Sequence, residues 1–221
     1  MTRHGAPHRL PGDDDMPTRT KLLTLTPLLA FALAFAAPAS AQDTAPPEMS
    51  AEQKAMMDAW QKASTPGAQH AQLAEHFSGS WTTKMSAWMD PATPPAVEMG
   101  KTVNTPVLGA RQLRMDYSGM FMGQAFEGIG YSGYDNVKGK YFSSWTDNMS
   151  TGMAMLEGDY DAASKTYTYR GEMADAMKPG TMTPIREVVR VVDKDHHVME
   201  FYETRDGKER KTMQIEFNRA Q

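Results

Sequence analysis

From Gly79 to Arg219, apolar side chains recur at every second position in short segments separated by turn-forming residues. Trp81, Thr83, Met85 and Ala87 share one face of the first segment, and Thr82, Lys84 and Ser86 share the other. Leu113, Met115 and Tyr117 alternate in the same way with Arg114, Asp116 and Ser118. Further segments lie at residues 131–134, 141–146, 166–170, 186–193, 198–204 and 211–219, with one more ending near Gly158. Between them stand residues 135–139, 159–165, 194–197 and 205–208, each carrying the Asp, Asn or Gly that turns favour. Short strands at this spacing predict an all-β domain, a barrel or a sandwich. Consecutive hairpins without helical crossovers favour an antiparallel meander.

Upstream the period changes. Ser50, followed three residues later by Gln53, offers a capping box, and Met56, Met57 and Trp60 fall near helical spacing. Residues 51–63 therefore predict a short amphipathic helix, ended by Thr65-Pro66-Gly67. Residues 68–77 predict a second helix, with Leu73 and Phe77 on one face. Trp60 is expected to pack on the chain's own barrel, and anchoring on a partner is the alternative. Further upstream, Arg19 and Lys21 precede an apolar run at residues 22–37, and Ala39-Ser40-Ala41 follows it. That order is the three-part signature of a secretory signal peptide, and the run is shorter than the roughly 20 residues of a membrane span. Asp13-Asp14-Asp15 stands where a basic region belongs, so the start is expected at Met16 and cleavage after Ala41. The expected organisation is a spurious extension plus leader over residues 1–41, a linker and helical extension over 42–78, and a β-barrel over 79–221. This describes a periplasmic or secreted protein with no transmembrane segment after cleavage.

The 221 residues carry a net charge of −4 and no basic cluster, which argues against nucleic acid as a partner. Cysteine is absent, so the fold relies on its core, and thiol catalysis and cysteine-attached haem are excluded. The sequence has no phosphate loop, dinucleotide fingerprint or nucleophile elbow, and no cofactor is expected. Methionine is abundant, at 19 residues, and all but Met1 and Met16 lie beyond residue 41. Scattered placement suits an adaptable core filler. The tight groups Met56-Met57, Met120-x-Met122 and Met153-x-Met155 keep soft-metal binding, copper above all, as the alternative.

Gly79-x-Trp81, Gly128-x-x-x-x-Gly133-Tyr134-Asp135, Trp145-x-Asp147-x-Met149-Ser150 and Gly158-x-Tyr160-Asp161 occur in that order within residues 70–219. In order and spacing they resemble the bacterial family called domain of unknown function 1579, which is similar to lipocalin-like, or calycin, barrels. The resemblance implies a mainly β, antiparallel up-and-down barrel. It also implies that Trp81 closes one end and that an arginine of the last strand packs across it. Arg219 shares phase with Met213, Ile215 and Phe217, as an arginine stacked on Trp81 requires. Both residues are expected to be structural.

Three constellations offer chemistry. Asp193, Asp195, His196, His197 and Glu200 are the densest set of potential metal ligands, but adjacent histidines on a strand diverge, and Asp-Lys-Asp-His is ordinary turn composition. His70 and His76 lack the spacing of a helical zinc pair and read as surface residues. The second set is Trp145, Asp147, Tyr134 and Asp135. Trp145 shares phase with Tyr141, Ser143 and Asp147, opposite Phe142, so either face can be the interior one. Asp147 fits either a ligand contact or a strand-end carboxylate holding turn amides. Glu172, Glu200 and Glu203 lie on late strands, with Glu203 in phase with Met199 and Phe201. The expected function is non-catalytic binding of a small apolar or amphiphilic molecule inside the barrel. Its wall is expected to include Met115, Tyr117, Phe126, Trp145 and Phe201, with Asp147 or Glu203 as polar anchor. A cavity enzyme using carboxylate acid–base chemistry and an envelope interaction module with a filled barrel are the alternatives.

Overall fold

The computed structural model describes residues 48–90 and 92–221; the expected extension and leader, residues 1–41, lie outside the described residues. Helices α1 (Ala51–Ser64) and α2 (Ala68–Phe77) lead into the strands. These are β1 (Gly79–Ala87), β2 (Ala96–Val107), β3 (Gln112–Phe121), β4 (Gln124–Asp135), β5 (Lys140–Asp147), β6 (Ala154–Asp161), β7 (Thr166–Ala174), β8 (Met182–Asp193), β9 (His196–Arg205) and β10 (Lys208–Arg219). Each strand pairs antiparallel with its neighbours in sequence, and β1 pairs with β10, so the sheet closes with no free edge. The mainly β, up-and-down barrel with a helical N-terminal extension is the observed fold.

One strand escapes the alternation rule. In β2 the interior positions include Thr102 and Asn104, both buried, while Val97, Met99 and Val103 point outward and are exposed. Thr102 donates to Asn104 Oδ1 at 3.0 Å, and Asn104 Nδ2 donates to the Phe77 carbonyl at 2.9 Å. Satisfied hydrogen bonds let polar side chains occupy interior positions that the pattern reserves for apolar ones.

α2 plugs one end of the barrel. Its buried face, Leu73 and Phe77, packs on Leu113, Tyr141, Leu156, Tyr167 and Ile185 from the strands. The last carbonyls of a helix lack intrahelical partners. Here Trp81 Nε1 and Asn104 Nδ2 both donate to Phe77 O at 2.9 Å, and Arg219 Nη1 donates to Ser78 O at 2.8 Å. The Arg219 cation thus also sits at the negative end of the helix dipole. In register, Arg219 faces Trp81 across β1 and β10, and its guanidinium carbon lies 4.1 Å from the indole centroid. His70 and His76 belong to this plug. His70 is buried and accepts from the Gly67 N–H at 3.0 Å, and His76 Nδ1 lies 2.9 Å from the Tyr167 hydroxyl. They are therefore not surface residues, because α2 turns them toward Tyr134 and Tyr167.

α1 differs from α2. It has its capping box at Ser50 and Gln53 but buries no residue. Trp60 is 69% exposed, against the expectation that it would pack on the barrel. The tie holding α1 is Asn136, whose Nδ2 donates to the carbonyls of Lys62, Ala63 and Thr65 at the helix C-terminus. That polar contact satisfies the helix end without burying the apolar stripe. No helix of the described residues is long and apolar enough to cross a membrane.

Candidate functional site: a one-ended cavity

Opposite the plug, the barrel encloses a cavity of about 590 Å³. Its rim is formed where strands end, by Trp88 and Met89 after β1, Asp147 and Met149 at the end of β5, Met177 after β7, and Arg205 and Arg210 on β9 and β10. Met115, Tyr117, Phe126, Trp145, Asp147, Phe201 and Glu203 all line it. The structure thus places the seven expected ligand-binding residues around one cavity.

Glycine makes room for the aromatic part of that wall. A Cβ at Gly128 would lie 2.1 Å from Trp145 Cζ2, so the indole lies in a slot that only glycine leaves open. The interior positions of β3, β4 and β5 thereby bring Tyr117, Phe126 and Trp145 together, with centroids 5.7 to 6.3 Å apart. Trp145 Nε1 donates to Asp147 Oδ2 at 2.7 Å, and the Met149 N–H donates to Asp147 Oδ1 at 2.9 Å. Asp147 therefore holds both the indole and the turn after β5. Glu203 is likewise engaged: Arg205 Nε donates to it at 2.8 Å, and Arg205 Nη1 donates to Asp175 at 2.6 Å. The Met177 N–H, foremost, and the Arg205 guanidinium hold the Asp175 carboxyl below its ordinary range. Both expected anchors thus already have protein partners.

The other candidate carboxylates lie outside. Glu172 is exposed on β7. Glu200 faces outward, accepting from the Tyr202 hydroxyl at 2.9 Å and Lys211 Nζ at 3.0 Å. The two adjacent histidines diverge as strand geometry requires. His197 is buried, stacked 4.3 Å from Phe217 and edge-on to Trp81 at 4.4 Å. Burial, chiefly, pushes its imidazole down to about 3, and no partner meets its Nδ1 among the described residues. No group of three or more His, Cys, Asp or Glu side chains among the described residues is placed to hold a metal ion.

Glu187 is the residue that sequence reasoning missed. It lies on the interior face of β8 with Ile185, opposite Tyr169 of β7 and Phe201 of β9, and it lines the cavity. The side chain retains accessible surface because it borders an empty space, yet protein rather than bulk water surrounds it. Burial alone pushes its carboxyl up to about 7. The available signal was Ile185-x-Glu187-x-Val189-x-Val191, a single acid on an otherwise apolar face.

A protein family described as protein of unknown function, DUF1579, matches residues 65–219. The chain belongs to the DUF1579 family. The DUF1579 match begins at the turn before α2 and ends on the last residue of β10, so it takes in the barrel and its helical plug and leaves out α1. No curated protein matches the chain. Among solved structures, a de novo designed fluorescence-activating β-barrel is similar at 14% identity and a TM-score of 0.39, covering 67% of this chain and 97% of that one.

Proposed function

We propose that this DUF1579 barrel is a non-catalytic binding protein that holds a small apolar or amphiphilic molecule in the half of its interior left open by α2. The observation that carries this reading is the cavity itself. Its volume of about 590 Å³ falls in the range of small-molecule sites, and its wall is mostly aromatic and methionine side chains. Methionine supports an adaptable fit, since its unbranched thioether adopts many shapes. The reading includes a periplasmic or secreted setting, which rests on the leader-like order of residues 19–41. Sequencing the exported protein from its amino terminus tests that setting, with Gln42 expected first.

The binding reading is tested by titrating the protein with short-chain amphiphiles while following tryptophan emission. Trp88 and Trp145 line the cavity, whereas Trp60 is exposed on α1 and Trp81 lies in the closed end. Saturable quenching in the micromolar range is expected, with much of its amplitude lost in Trp145→Leu. Absence of saturable quenching and of any bound mass in native mass spectrometry sinks the reading.

A further inference from the structure

Glu187 separates this cavity from a merely greasy one. Three described cations, Arg205, Arg210 and Lys211, line the cavity. Arg205 pairs with Glu203 and Asp175, Lys211 pairs with Glu200, and Arg210 stands in register with Glu203, two residues along β9 from the Phe201 that faces Glu187. Across the sheet, Glu187 faces Tyr169 and Phe201 in register, and Ile185, two residues before it, faces Glu203. Among the described residues no hydrogen bond or ion pair reaches this carboxylate, and burial is what raises it. An unpartnered carboxylate in apolar surroundings is costly, and a cation at hydrogen-bond distance is the most effective compensation.

We infer that Glu187 makes the cavity selective for a small apolar molecule bearing one basic nitrogen, with the ammonium group against this carboxylate and the apolar remainder against Met199, Phe201, Met213 and Trp145. An anionic amphiphile meets like charge at the same position and loses affinity, and a neutral alcohol offers a single weaker hydrogen bond. This inference rests on the binding function proposed above, and it names the ligand's polar group, which that proposal leaves open.

The test compares octylamine, octanol and octanoate, which share one chain and differ in headgroup, by calorimetric titration at pH 8. Wild type, Glu187→Gln, Glu187→Leu and the surface control Glu172→Gln are measured, each first checked for cooperative thermal unfolding. Wild type and the control are expected to bind octylamine about tenfold or more tighter than octanol, and octanoate weakest. Both Glu187 variants are expected to bring octylamine and octanol within about threefold of each other while still binding octanol. If octylamine keeps its advantage in both variants, or octanoate binds wild type best, the selectivity assigned to Glu187 is wrong and the binding reading stands. If none of the three binds wild type, the binding reading itself falls.

Discussion

Each half of the barrel holds a titratable side chain for which the described residues supply no partner, and the two shift with opposite sign. In the closed half His197 is packed between Phe77, Trp81 and Phe217, where burial holds it neutral. In the open half Glu187 faces the cavity, where burial favours its protonated form. Around His197 the polar groups are largely satisfied, with Trp81, Asn104 and Arg219 all donating to the end of α2. Around Glu187 there is empty space. One half is built as a core, and the other is left incomplete in both volume and hydrogen bonding.

The largest test of that contrast is truncation. Trp81→Ala removes a fully buried indole together with its bond to Phe77 and its stack with Arg219, and is expected to cost about 3–5 kcal/mol in equilibrium denaturation. Trp145→Ala is expected to cost less than about 2 kcal/mol, because part of that indole already faces empty volume. Equal costs at the two positions would erase the distinction between the halves.

Next in size, Glu187→Leu is expected to stabilise the protein by about 3 kcal/mol at pH 8. The folded carboxyl titrates near 7 rather than 4.5, so the folded state holds an extra proton between these values, and stability falls as pH rises through that window. His197 acts in reverse. Its folded value is depressed to about 3 from 6.5, so the unfolded state binds the extra proton, and stability is lost as pH falls below 6.5. In wild type the two effects nearly cancel from pH 8 to pH 5, and a profile flat to within about 1 kcal/mol is expected from this pair. Glu187→Leu uncovers the histidine slope, a loss of about 2 kcal/mol on going from pH 8 to pH 5. His197→Leu uncovers the opposite slope, a relative gain of similar size. Urea denaturation across that pH range checks both; parallel profiles in the two variants contradict the assignment. The smallest effect is expected at Asn136→Ala, which frees the end of α1 at a cost of about 1 kcal/mol or less. Hydrogen exchange is expected to rise in α1 alone, leaving both halves of the barrel unchanged.

Met115 and Tyr117 were legible as interior residues because β3 alternates Leu113, Met115 and Tyr117 with Arg114, Asp116 and Ser118. β2 was illegible for a physical reason: Thr102 and Asn104 face inward through hydrogen bonds that depend on α2, a distant element. Glu187 was hidden because β8 carries valine and charge on both faces, as in Arg186, Val188 and Arg190 outward against Glu187 and Val189 inward. Trp60 misled because an apolar stripe predicts which face a helix would bury, not whether anything covers it. The partners of Asp147 and Glu203 depend on χ angles and loop geometry, which period-two alternation does not contain.

On the binding function proposed above, the plug made by α2 would also govern traffic. A guest, its replacement and the water between them would share the doorway that the described residues leave, the rim bounded by Trp88, Met149 and Met177. Exchange in such a dead-end chamber is sequential: the occupant clears the doorway before a successor enters. The rate of turnover is then capped by departure, and adding more competitor does not hasten it.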